Sequence, residues 1–351
     1  MAKKNSRWVV NLTALVLAVG LLMGLFTGCP GTAGGGTPSV SVGPAAIFKT
    51  DGNGKITGYK CAQEALPANL VIPAKIGDEE IKEIGLWAFY NCTGLRSISL
   101  PASITKIGGY AFSGCTGLTS ITLPANLTEI GYSAFFGCKG LTSITLPANL
   151  TTIGGIAFCD CTGLTSLNLS ACTSLTTIDL GAFSGCTGLT SITLPANLTE
   201  IGGSAFSGCT GLKSVHLPAN LTTIDLGAFS GCTGLISLTI DSANTKYKTE
   251  GNILYSKDGT TLILAAGSLT SITNIPNTVT TIGDNAFGGC TGLTSVIFAD
   301  KNGWAVYYDW EYKNKLADIQ QSDLADTSKA AEYLREKTDK GGYCDKYWKK
   351  R

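Results

Sequence analysis

Leu118-Thr119-Ser120-Ile121-Thr122-Leu123-Pro124-Ala125-Asn126-Leu127-Thr128-Glu129-Ile130-Gly131, carried on by Ala134-Phe135 and Cys138, is the stretch that decides the fold. Ser120 to Leu123 alternates polar and apolar residues and is rich in β-branched side chains, which predicts a short strand. Pro124 ends it, because proline has no N–H to give to a ladder. Leu127 and Ile130 are spaced for a tight turn or a second short extended segment. Gly117 and Gly131 are expected at corners where φ is positive. Leu118, Ile121, Leu123, Leu127, Ile130, Ala134, Phe135 and Cys138 are all expected to point inward.

The pattern returns at a period of 23 residues. Ala111-Phe112-Ser113-Gly114-Cys115-Thr116-Gly117-Leu118 is echoed at Ala134, Ala157, Ala182, Ala205, Ala228 and Ala286, and in looser form at Ala88. A fixed period of this size means a stack of coils, none of which can bury its apolar side alone. Equivalent residues then lie about 4.8 Å apart, the separation of neighbouring strands. Phe112, Phe135, Phe158, Phe183, Phe206 and Phe229 should form a buried spine, and the first strands one parallel sheet. Two irregularities interrupt the array. The interval from Cys161 to Cys186 is 25 residues. Between Ile240 and Leu269 the pattern gives way to two apolar runs around Asp258-Gly259, a hairpin signal expected to project from the solenoid or to be a plain structural insertion.

The pattern Leu-x-x-Ile-x-Leu-Pro, Leu-x-x-Ile-Gly, Ala-Phe-x-x-Cys resembles the BspA-like, or Treponema-type, subclass of bacterial leucine-rich repeats. It covers roughly Leu86 to Phe298, and Asn69-Leu70-Val71-Ile72-Pro73 with Ile81-Lys82-Glu83-Ile84-Gly85 looks like the family's opening half-repeat. The resemblance implies a mainly β repeat solenoid with a parallel sheet on one face, displayed on a bacterial cell surface. It also implies adhesion to host matrix, host cells or other bacteria.

The N-terminus reads as an export signal. Lys3, Lys4 and Arg7 precede the uncharged apolar run Trp8 to Phe26, and Leu25-Phe26-Thr27-Gly28-Cys29 resembles a bacterial lipobox, with Phe26 where an aliphatic residue is usual. The resemblance implies a signal peptide over 1–28, lipidation of Cys29 and a membrane anchor through that lipid, which needs more than one acyl chain to be stable. An uncleaved anchor and a cleaved signal without lipid are the alternatives. Residues 29–45 read as a Gly/Pro/Ser-rich linker, 46–85 as a hairpin and capping half-repeat, 86–298 as the array with its island at 241–269, and 299–351 as an aromatic-rich cap.

Composition narrows the function. With 26 basic and 25 acidic residues the net charge is +1, which offers nucleic acid no basic stripe. From Ala111 to Leu235 the only charges are Lys139, Lys213, Glu129, Glu200, Asp160, Asp179 and Asp225, so the solvated surface must be Ser, Thr, Asn and Gly. Eight of 13 cysteines recur at one repeat position, Cys92, Cys115, Cys138, Cys161, Cys186, Cys209, Cys232 and Cys290. Equivalent positions on successive coils project the same way, so these are expected to be small buried side chains rather than disulfides. Cys159, in a position expected outward like Ser113, could bridge to Cys172. No metal site or cofactor is expected from a chain with one histidine. His216 reads as a surface substitution, and no nucleophile–base pair suggests an enzyme. Asp51-Gly52-Asn53-Gly54-Lys55 is a hairpin turn, since Lys55 and Ala62 stand where a calcium loop needs oxygen ligands. Asn126, Asn149, Asn197 and Asn220 match glycosylation sequons but are expected to be turn residues.

The function expected is protein–protein binding by a monomeric surface lipoprotein, with an extracellular-matrix or other host or bacterial surface protein as partner. The contact strip is expected along outward strand positions: Ser120, Thr122, Ser143, Thr145, Ser166, Asn168, Ser191, Thr193, Ser214, His216, Ser237 and Thr239. The alternative is a passive spacer or coat protein whose ends make the contacts. A helix is expected over Lys329 to Lys337 in the cap, whose Trp and Tyr residues either close the solenoid or bind glycan.

Overall fold

The computed structural model describes residues 47–351 apart from Leu226. The expected signal segment, the linker and Cys29 lie outside the described residues. From Phe48 on, the chain winds as a mainly β solenoid in which each coil has three sides. One side carries strands such as Ser120–Thr122 and Ser191–Thr193, and a second carries two-residue strands such as Glu129–Ile130 and Glu200–Ile201. The third is the turn built on Ala-Phe-x-x-Cys. Coils pair in parallel with the repeat register intact: Ser97 with Ser120, Ser191 with Ser214 and Ser214 with Ser237.

The core follows from the alternation. Ile121 is 8% exposed while its neighbours Ser120 and Thr122 face solvent. Of the residues expected inward only Leu123 is half-buried, at the rim of the strand face. Phe89, Phe112, Phe135, Phe158, Phe183, Phe206 and Phe229 stack with centroids 5.1–5.6 Å apart, in the range of offset ring stacking. Phe48 and Tyr59 close the N-terminal end of this stack against Phe89, at 6.4 and 6.2 Å. They come from the antiparallel pair Phe48–Thr50 and Lys55–Tyr59, whose turn is held by Asp51 accepting from the Asn53 and Lys55 amides.

The polar letters of the repeat stitch one coil to the next. The side-chain amides of Asn126, Asn149, Asn197 and Asn220 donate to a carbonyl of the preceding coil at 3.0–3.1 Å. Thr128, Thr151, Thr199 and Thr222 do the same through their hydroxyls, at 3.0–3.1 Å. Cys115, Cys138, Cys161, Cys186, Cys209 and Cys232 lie fully inside and point Sγ at the carbonyl of a preceding Phe, 3.0–3.2 Å away. A recurrent Asn-Leu-Thr is therefore an inter-coil clasp.

Several expectations are corrected. Gly117 and Gly131 do not have positive φ. They are close approaches, where a Cβ would meet the Thr93 carbonyl at 2.2 Å and the Gly109 amide at 2.7 Å. The left-handed corners fall one residue before each repeat Ala and one before each repeat Cys from Cys92 to Cys232, as at Tyr110 (φ 54°) and Gly114 (φ 74°). Cys159 is 4% exposed and Ser113 3%, so this position faces in; Cys159 and Cys172 are both free thiols. The strand side is not one sheet, because Ser143–Thr145 has no ladder partner and splits it into a three-stranded and a four-stranded sheet. The second side is interrupted between Thr152–Ile153 and Thr177–Ile178, beside the longer coil, whose Ser170-Ala171-Cys172-Thr173-Ser174 replaces a tighter Pro-Ala-Asn bend. The lapse between Ser120–Thr122 and Ser143–Thr145 has no such cause in the sequence. Only the Ala-Phe turn carries the ladder unbroken, each Phe amide from Phe89 to Phe206 donating to the next Ala carbonyl at 2.7–2.8 Å.

The island does not project. Tyr247–Glu250, Ile253–Ser256 and Thr261–Ala265 form an antiparallel meander, and the last pairs in parallel with Thr281–Ile282 of the resumed coil. Leu254 and Leu264 belong to the core of the main array, whereas Ile253, Tyr255 and Leu262 belong to a second core reaching Trp348. Alternate side chains thus make the meander a wall shared by two cores. At the C-terminus Tyr347–Lys350 pairs antiparallel with both Thr281–Ile282 and Trp304–Tyr307. Trp304 and Trp348 are buried there, each indole N–H donating to a backbone carbonyl at 3.0 Å. The cap helix runs Thr327–Arg335, two residues earlier than expected, because Asp326 itself is the N-cap and accepts from the Ser328 and Lys329 amides.

Candidate binding face

Strand pleating decides which side chains reach solvent. Ser120, Thr122, Ser166, Asn168, Ser191, Thr193, Ser214, His216 and Thr239 are exposed on laddered strands, and Ser237 is half-buried. Ser143 and Thr145 point the same way from a segment without strand pairing. The face extends further than the sequence reading placed it. Asn69–Val71 and Ser97–Ser99 pair in register with Ser120–Thr122, adding Asn69, Val71, Ser97 and Ser99. Ser97 donates its hydroxyl to Asn69 at 2.7 Å, and Val71 is 59% exposed. The same Ser-Ile-Ser alternation at Ser97 was the available signal.

Individual departures from the repeat have local roles. His216 Nδ1 and the Thr239 hydroxyl are 3.0 Å apart on adjacent strands. Asn168 accepts from the Ser170 amide at 3.0 Å, which turns the chain into the longer coil. Asp258 accepts from the Ser256 hydroxyl and from Thr260, and these bonds hold its carboxyl down at about 2. It is a turn residue of the meander. Where the ladder lapses, the face opens into a shallow cavity of about 310 Å³ lined by Ile121, Thr122, Leu123, Ala125, Thr145 and Pro147. Apolar floor and hydroxyl rim suit a side chain of a partner better than an ion.

Burial pushes the thiols of Cys138, Cys232 and Cys290 up to about 12, far from the thiolate that a nucleophile or metal ligand needs. Among the described residues no three His, Cys, Asp or Glu side chains cluster as a metal site. No helix among them is long and apolar enough to cross a membrane.

Short parallel coils, an aromatic spine and a flat hydroxyl face define a leucine-rich-repeat solenoid, a class built to present binding surface. The chain belongs to the BspA type leucine-rich repeat family, which matches it in six copies over residues 70–189, 168–253 and 263–325. It is similar to a leucine-rich cell surface protein of Faecalibacterium prausnitzii, 32% identical, covering 72% of this chain and 68% of that one with a TM-score of 0.63. A leucine-rich repeat protein of Bacteroides ovatus is 28% identical, with coverage of 73% and 63% and a TM-score of 0.57. No curated protein matches the sequence.

Proposed function

We propose that this chain is an exported bacterial lipoprotein, anchored through Cys29, whose strand face binds a protein on a host or bacterial surface. The observation that carries the reading is the outward row of Ser, Thr, Asn and His side chains, held in register by ladders such as Ser214 with Ser237 and His216 with Thr239. Short hydroxyl side chains on paired backbone lose little freedom when a partner lands, so the face is pre-organised. The buried letters of the repeat are committed to the core and the Asn and Thr clasps to stitching, which leaves the outward strand positions for recognition. The surface neighbour in Faecalibacterium and the lipobox-like Leu25 to Cys29 support the same placement.

The test is binding of the lipid-free fragment 45–351 to intact host matrix and to its separated proteins. A saturable, competable interaction with one protein is expected, and absence of binding to matrix, host cells and bacterial cells would contradict the reading. Deleting one 23-residue unit separates a binding face from a passive spacer. A face should lose affinity; a spacer should be indifferent.

A further inference from the structure

The two residues before each Ala-Phe are among the most variable letters in the array; Leu86, Tyr132 and Leu180 are exposed there, Trp87 and Tyr110 half-buried, and Ser133, Gly155, Ile156 and Gly181 buried. These pairs read Leu86-Trp87, Gly109-Tyr110, Tyr132-Ser133, Gly155-Ile156, Leu180-Gly181, Gly203-Ser204, Leu226-Gly227 and Asp284-Asn285. In the first three of these coils they build a line of rings, Trp87 to Tyr110 at 6.0 Å and Tyr110 to Tyr132 at 5.6 Å. Leu86, Tyr90 and Tyr132 are 55%, 41% and 38% exposed, on a surface otherwise made of small polar residues. The glycines make room: Leu86 lies against Gly109, and the Tyr132 ring against Gly155.

Trp87 and Tyr110 hold φ of 56° and 54°, a conformation that glycine adopts without cost and that an aromatic residue does not. Gly181 and Gly227 occupy the same position in later coils. Ser133, Ile156, Ser204 and Asn285 hold the same conformation there, so it belongs to the turn itself; what sets the first coils apart is the size of the side chains they carry.

We infer that this corner stripe, Trp87-Tyr110-Tyr132 with Tyr90 beside it, is a second binding surface that takes a neutral polysaccharide. The choice of occupant rests on charge. From Leu86 to Asn91, Gly108 to Gly114 and Gly131 to Gly137 the turns contain no charged residue. An anionic membrane would require a basic cluster beside the rings. Aromatic faces with phenol, hydroxyl and amide groups and no charge match the C–H faces and hydroxyls of uncharged sugars. The stripe runs along the stack, one ring per coil, as a linear polymer would lie. It is on a different side of the coil from the strand face, so the two readings stand or fall separately.

The experiment is affinity electrophoresis of the detergent-solubilised full chain through gels holding hydroxyethylcellulose, glucomannan or polygalacturonate. Retardation is expected in a neutral gel and not in the acidic one. Trp87→Gly combined with Tyr110→Gly should weaken it about tenfold, the loss of a stacking contact worth roughly 1.4 kcal/mol. The variant should keep a single cooperative thermal transition, since glycine occupies the same position at Gly181 and Gly227. Tyr132→Leu, which places there the residue found at Leu86 and Leu180, should also weaken retardation. No retardation in either neutral gel would overturn the inference and leave these rings to a protein or lipid partner. Equal retardation of parent and variants, or retardation chiefly by polygalacturonate, would overturn it as well.

Discussion

Gly117 and Ser204 show how differently two corner residues are constrained. A methyl at Gly117 would meet the Thr93 carbonyl at 2.2 Å, and both belong to backbone that cannot swing aside. Gly117→Ala is expected to destabilise by about 1–3 kcal/mol, the usual cost of overpacking, read as a lowered urea midpoint at unchanged slope. Ser204 holds φ at 56° with a side chain that makes no use of it. Ser204→Gly removes a left-handed penalty of about 1–2 kcal/mol and adds about 0.5–1 kcal/mol of unfolded-state entropy, so a small net gain in the same midpoint is expected. The thiols offer a further check. With burial raising the Cys138, Cys232 and Cys290 thiols to about 12, native protein should resist alkylation at these sites until it unfolds.

At the scale of elements, the lapse at Ser143–Thr145 and the C-terminal closure behave differently from the regular coils. The amides of Ser143, Ile144 and Thr145 make no backbone hydrogen bond, whereas Ser191–Thr193 is laddered. Hydrogen exchange should be about tenfold or more faster over the first segment than over the second. At the closure, Asp284 lies in the junction where the Asn285 amide donates to the Cys344 carbonyl. Burial, and then the nearby Asp345 charge, raise its carboxyl to about 6, against the Asn285 amide and Lys346, which favour the anion. A raised acid penalises the folded state once it is ionised, so this group's contribution to stability improves as pH falls from about 7 toward 4. Asp284→Asn should therefore stabilise near pH 7, by about 1–2 kcal/mol given its residual solvent contact, and the difference from the parent should vanish near pH 4. Paired pH titrations of the thermal midpoint would show it. Period and alternation made strand positions, the Phe spine and the buried Cys legible, because each repeats in every coil. The ladder lapse, the corner geometry and the packed meander were not legible. They depend on how one coil's backbone meets the next, and a single repeat does not encode that contact.

The described residues hold two cores, joined at the meander, the first closed by Phe48 with Tyr59 and the second by Trp304 with Trp348. Nearest-neighbour stitching means that stability should grow with coil number, and removal of one 23-residue unit should lower it without abolishing folding. It also means that the outward strand positions can change without touching the core, as the proposed recognition by the strand face requires. The most direct test is a triple variant, Thr145→Glu with Thr193→Glu and His216→Glu, measured for equilibrium binding to the matrix protein that the parent binds. Three added charges on a neutral, exposed face should cut affinity by at least about a hundredfold, roughly 2.7 kcal/mol, at an unchanged thermal midpoint. Undiminished binding by a folded triple variant would contradict the account.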